Sequence, residues 1–110
     1  MVVETLSETE VDRLFQALAD ATRRDILTRA LTGEHSVTAL AARYEMSFAA
    51  VQKHVAVLER ASLVVKTRRG REQLVTADPD ALARARRLLE QYEALWRHRV
   101  AAIDDLLAED

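Results

Sequence analysis

Residues 47–55 read SFAAVQKHV and continue as AVLERASLV through residue 64. Val51, Val55 and Leu58 recur at steps of four and three, which predicts an amphipathic helix capped by Ser47 and running to about Ala61. The face away from that stripe carries Ala49, Gln52, Lys53 and Ala56 instead of the usual dense charge. A solvated helical face is normally rich in long charged side chains. One kept short and hydrogen-bonding is suited to entering a confined polar space, and the flanking sequence indicates which space that is.

Upstream, Ser36 opens a helix reaching about Tyr44 with Val37, Leu40 and Ala41 inward, and only the break EMS separates it from the next. Ala39, Ala41 and Ala42 are small enough to let the two helices cross closely. Downstream, LVVKT (63–67) and EQLVT (72–76) are β-rich runs separated by RRGR (68–71), a hairpin whose turn type no Asn-Gly pair specifies. Two short helices, a tight turn and a basic hairpin make a winged helix-turn-helix. A helix entering the major groove must present short or hydrogen-bonding side chains at its N-terminal end. Ala49, Ala50, Gln52 and Lys53 meet that demand: Gln can pair bidentately with adenine and Lys can reach guanine or phosphate. Ser47 and the helix N-terminus can accept a phosphate. Arg43 precedes the helix, and Arg68, Arg69 and Arg71 around Gly70 form a wing able to hold phosphates or enter the minor groove.

The charge distribution agrees. The 110-residue chain has a net charge of −2, yet residues 36–76 hold seven basic side chains against three acidic ones. A cationic middle framed by acidic ends addresses a polyanion locally while the whole stays near neutral.

Working outward, Ser7 and Glu10 form a capping box ahead of a first helix, Thr9–Ala19, striped with Val11, Leu14, Phe15 and Leu18. Asp20 or Thr22 can cap a second helix carrying Ile26, Leu27, Ala30 and Leu31, with Gly33 as its stop. Asp78 and Pro79 start a last helix of roughly thirty residues, on which Leu82, Ala85, Leu89, Tyr92, Trp96, Val100, Ile103 and Leu107 recur at three- and four-residue steps. So long a stripe exceeds what a chain of this size can cover, so a second copy is expected to meet it. The dimer-forming set is Val11, Leu14, Phe15, Leu89, Tyr92, Trp96, Val100, Ile103 and Leu107. Tyr92 and Trp96 are read as interface core in preference to a ligand pocket.

Size and composition fit this plan. With 49% hydrophobic residues, 2 Gly and 1 Pro, the chain reads as one folded, largely helical domain over residues 1–110. Its parts are terminal dimerisation segments (7–35 and 79–108), a helix-turn-helix (36–61) and a wing (63–76). Zero Cys removes disulfides, thiolate metal ligation and cysteine catalysis, and no apolar run approaches the roughly 18 residues that span a bilayer. A cytoplasmic location without membrane attachment is expected. No Gly-rich phosphate loop, HExxH or assembled Ser/His/Asp set argues for an enzyme.

At this point the chain resembles a known family. LFQALADATRRDIL (14–27), VTALAARYEMSFAAVQKHVAVLERASLV (37–64) and RRGREQLV (68–75) are similar to successive signature blocks of the ArsR-type winged-helix repressors, in order, over residues 10–108. The resemblance implies a homodimer through the first and last helices, a recognition helix at residues 47–60, and repression at double-stranded operator DNA. It also favours a DNA contact for His54, which otherwise reads as a helix-edge packing residue. His35 is read as a solvated turn residue and His98 as exposed.

There are departures from the pattern. Where the family places a Cys-x-Cys metal site, this chain has Ser36 and Thr38, whose hydroxyls are poor ligands for soft metals. His98 and Asp104 on the last helix stand about 600° apart around its axis, with Asp105 a further step on, so neither a metal site nor a cofactor is expected. Glu45 and Ser62 occupy turn positions where Gly is frequent. The competing function is a protein-interaction module with a winged core and only non-specific DNA binding. The effector, small molecule or protein, is not identified by these residues.

Overall fold

Each of the first four helices begins at a side chain that accepts a backbone hydrogen bond from three residues ahead. In the computed structural model, which describes residues 6–108, Ser7 Oγ accepts from Glu10 N at 3.1 Å and Glu10 returns the bond to Ser7 N at 3.1 Å. This box starts α1 (Glu8–Leu18). Asp20 caps α2 (Ala21–Thr32), Ser36 caps α3 (Val37–Ala41) and Ser47 caps α4 (Phe48–Arg60), with bonds of 3.0, 3.0 and 3.1 Å. The last helix, α5 (Pro79–Ala108), opens with Pro at its first position, and Asp78 Oδ1 accepts from Asp80 N.

Three antiparallel strands complete the chain: β1 (His35–Ser36), β2 (Val64–Arg69) and β3 (Glu72–Ala77), in the order β1-β3-β2. The β2–β3 hairpin pairs Arg69 with Glu72 across a two-residue loop, Gly70-Arg71. Gly70 alone of the two has positive φ, at 63°, the requirement of a type II′ turn. β1 corrects the reading of His35 as a solvated turn residue: it pairs with Val75 and is half-buried.

The core lies where α1, α2, α3 and α4 close over one face of this sheet. Ile26, Leu40, Val51, Val55, Leu58, Leu63 and Val75 are essentially fully buried. Burying each of these stabilises by about 1.5–3 kcal/mol relative to exposure. The early turns of α5 join this core through Ala81, Leu82 and Ala85, whereas every described residue from Leu89 onward is exposed.

Three further expectations change. Leu14 is 5% exposed and belongs to this chain's own core, so it drops out of the set that could meet a partner. The third helix stops at Ala41 and the chain reaches Ser47 through a turn, leaving Ala39 and Ala42 exposed and only Ala41 packed against the core. Of the two positions where Gly was anticipated, only Ser62 adopts a left-handed backbone, with φ of 60°. There the chain leaves α4: Leu63 N donates to Leu58 O at 3.0 Å and Ser62 N to Glu59 O at 2.9 Å, the paired bonds of a Schellman motif.

Candidate nucleic-acid interface

Because Val51, Val55 and Leu58 seat α4 on the core, the opposite side of the helix is forced outward. Ala49, Gln52 and Lys53 are exposed there, Ala50 is half-buried beside them, and the Ser47 cap stands at the same end. No acidic residue occupies the first turn, so the partial positive charge of the helix N-terminus is left unneutralised. Arg43 is exposed in the turn that leads into this end.

The hairpin arginines differ in what they touch. Arg68 Nε donates to Gly70 O at 3.3 Å, folding its side chain over the turn. Arg69 grips Glu34 with two nitrogens at 3.3 and 3.4 Å, so part of its charge is spent on the loop before β1. The pair is well exposed and contributes less than about 1 kcal/mol. Arg71 is exposed at the tip. Lys66, on β2, lies 3.7 Å from Glu59 and ties the hairpin to α4.

His54 is half-buried and turns its Nδ1 toward the start of α2. Its Nδ1 lies 3.3 Å from a guanidinium nitrogen of Arg23 and 4.0 Å from Asp20 Oδ1. A guanidinium only donates, so the contact is a hydrogen bond when Nδ1 carries no proton. Arg23 was not singled out in the sequence, yet it is central: its other nitrogens donate to Ala17 O at 3.0 Å and Gln16 O at 2.8 Å. Arg24 adds a bond to Leu18 O at 2.7 Å. Since α1 has no basic residue in its last turn, these arginines from the next helix satisfy its terminal carbonyls. The signal available in the sequence was that missing cation.

A second clasp holds the turn before α4. Tyr44 Oη donates to Asp25 Oδ2 at 2.6 Å, and Arg29 Nε donates to the same oxygen at 3.0 Å. The Tyr44 bond, then the Arg29 bond, holds the Asp25 carboxyl below the usual carboxylate range. Partial burial, then the bond to Asp25, pushes the Tyr44 hydroxyl up. Thus α4 is referenced to α2 through His54 on its inner flank and through Tyr44 just ahead of its first turn.

Away from this surface the apolar stripe on α5 is bare. Leu89, Tyr92, Trp96, Val100, Ile103 and Leu107 are all exposed, as is Phe15 on α1, while Val11 is half-buried. Leu95 and Leu106, absent from the anticipated set, are also exposed and widen the stripe along one flank. None of the described helices is long and apolar enough to cross a membrane. Among the described residues, no group of three or more His, Asp or Glu could hold a metal ion. Ser36, standing where a thiolate ligand would, uses its hydroxyl to cap α3.

No family model matches this chain. An HTH-type transcriptional regulator of Mycobacterium tuberculosis is 40% identical over 81 residues, spanning 74% of this chain and 76% of that protein. The solved ArsR-like transcriptional regulator from Rhodococcus sp. RHA1 superposes with a TM-score of 0.79 at 36% identity, covering 89% of this chain and 92% of that one. A homodimeric winged helix-turn-helix DNA-binding domain from Mycobacterium bovis, described as a possible ArsR-family regulator, gives a TM-score of 0.63 at 25% identity over 86% of this chain and 91% of that one. The shared winged architecture and the 40% identity across three quarters of the sequence establish that the chain belongs to the ArsR family of helix-turn-helix transcriptional regulators.

Proposed function

We propose that this regulator is a homodimeric repressor that reads a palindromic operator, its two α4 helices entering successive major grooves about one helical turn apart. The observation that carries this reading is the outer face of α4, where Ala49, Gln52 and Lys53 are exposed beside an N-terminus free of acids and a basic hairpin. Gln52 pairs with adenine, Lys53 reaches guanine or phosphate, and Ser47 with the first backbone amides takes a phosphate. Ala49 and Ala50 allow the close approach. Arg43, Arg68 and Arg71 hold the backbone on either side, with Arg69 contributing once its clasp with Glu34 opens. His54 positions α4 through Arg23 and makes no base contact.

Dimerisation runs through α1 and α5. The exposed α5 stripe is wider than the narrow seam of a two-stranded coiled coil, which suits packing against more than one partner helix. Regulation does not use thiolate metal ligands, since the chain has no Cys.

The direct test is selection from a random duplex library with the purified protein, at moderate salt and with a chelator present. Enrichment of a palindrome with half-sites about ten base pairs apart supports a dimeric, metal-independent reader. Retention only at low salt, without enrichment, would reduce the cationic middle to a generic polyanion patch and leave α5 as a docking helix for another protein.

A further inference from the structure

Phe48 is the first residue of α4 and is 46% exposed, although the helix it begins is otherwise well seated. A single exposed aromatic residue is ordinary on a protein surface. The position of this one is not: it stands immediately after the Ser47 cap, at the end of the helix that leads into the groove, and four residues before Gln52. Residues four apart lie one above the other on a helix, so ring and amide occupy adjacent places on the same side. The bare stripe of α5 involves other residues altogether.

We infer that Phe48 and Gln52 together read an A·T element of each half-site, with the Phe48 ring packed on the C5-methyl of a thymine. An aromatic ring brings no hydrogen bond to a base edge. The apolar feature that an unmodified base pair offers in the major groove is the thymine methyl group. Gln52 one turn away supplies the complementary chemistry, a bidentate amide for adenine N6 and N7. An apolar contact beside an adenine contact therefore matches a T·A pair or two adjacent A·T pairs, and rejects G·C at that place. Phe48 is thus a specificity-determining residue, and its exposure in the free protein is apolar area held ready for the base pair. This inference rests on the operator-reading function.

The test replaces each thymine of the selected operator, one position at a time in both half-sites, with deoxyuridine. That change removes the methyl and leaves every hydrogen-bonding group. For the wild-type protein, affinity should fall about fourfold per methyl at one thymine per half-site, the scale of one buried CH₂ group, and stay unchanged at the others. Phe48→Ala should abolish the dependence at that thymine, and Phe48→Leu should keep most of it. Equal losses in wild-type protein and Phe48→Ala overturn the inference, and so does a wild-type protein indifferent to every substitution. A wild-type protein indifferent to every substitution is decisive even if Phe48→Ala folds poorly, and a methyl dependence in wild type is assigned to Phe48 by comparison with Phe48→Ser. An enriched operator with no methyl dependence sinks this inference alone, whereas failure to enrich any operator sinks the operator-reading function with it.

Discussion

The fourth and fifth helices are both amphipathic, yet the chain treats them oppositely. The stripe of α4 is consumed at home: Val51, Val55 and Leu58 are at most 1% exposed. The stripe of α5 beyond Leu88 is left in water, with Trp96 62% exposed and Leu107 78% exposed. Periodicity alone makes the two look alike. The difference is that α4 crosses α1, α2, α3 and β2, while α5 touches the core only through its first turns. One helix completes a domain; the other presents a face that a second copy would cover.

Substitutions at the two stripes should therefore fail in different ways. The largest effect belongs to α4, where Leu58→Ala leaves a cavity in the closed core and should cost about 3 kcal/mol, read from urea unfolding at fixed protein concentration. An unchanged midpoint would mean that α4 is not seated as described. On α5, Trp96→Asp should raise the dimer dissociation constant at least 100-fold in sedimentation equilibrium while the far-ultraviolet circular dichroism of the monomer stays helical. Loss of the fold together with the dimer would erase the contrast between the helices.

The outer face of α4 comes next. Gln52→Ala should relax preference at one position per half-site by roughly tenfold, whereas Arg71→Ala should weaken all sequences alike and flatten the salt slope. Indifference to Gln52→Ala in both affinity and preference would sink the assignment of α4 as the reading helix.

Tyr44→Phe, which unfastens the turn ahead of α4, should cost about 1 kcal/mol near neutral pH. The sign of its pH dependence follows from Asp25, whose carboxyl is held low in the fold by Tyr44 and Arg29. That contribution is present above the carboxyl's unfolded pKa and is lost as pH falls through the depressed folded value. The gap between Tyr44→Phe and wild type should therefore narrow on acidification below about pH 4, as parallel denaturant titrations would show. The smallest effect is a gain: Ser62→Gly removes the left-handed penalty at the end of α4 and should stabilise by about 0.5 kcal/mol in thermal melts.

What the sequence reveals divides along the range of the interaction. Helix starts were legible because a capping hydroxyl or carboxyl finds its partner three residues away, as Ser7, Asp20, Ser36 and Ser47 all do. The stripes of α4 and α5 were legible for the same reason, and so was the exposed face bearing Gln52 and Lys53. Contacts between distant residues were not. β1 has two residues, too few to show alternation, and exists because it pairs with β3 some forty positions later. His54 finds Arg23 across 31 residues and Arg69 finds Glu34 across 35, so neither engagement leaves a local trace. Leu14 and Phe15 are neighbours in one stripe, yet the first is buried and the second exposed. Spacing defines an apolar face but not which side of it is already occupied.

The Arg23 junction has a mechanical consequence. One guanidinium joins the end of α1 to the inner flank of α4, so the helix proposed for the dimer interface and the helix proposed to read DNA share a junction. If a symmetric pair reads a palindrome as proposed, the separation of its two α4 helices must match about 34–36 Å of duplex. A perturbation that pivots α1 would meet α4 through this junction. On the proposed reading, register with the operator would then be sensitive to a point that never touches the bases.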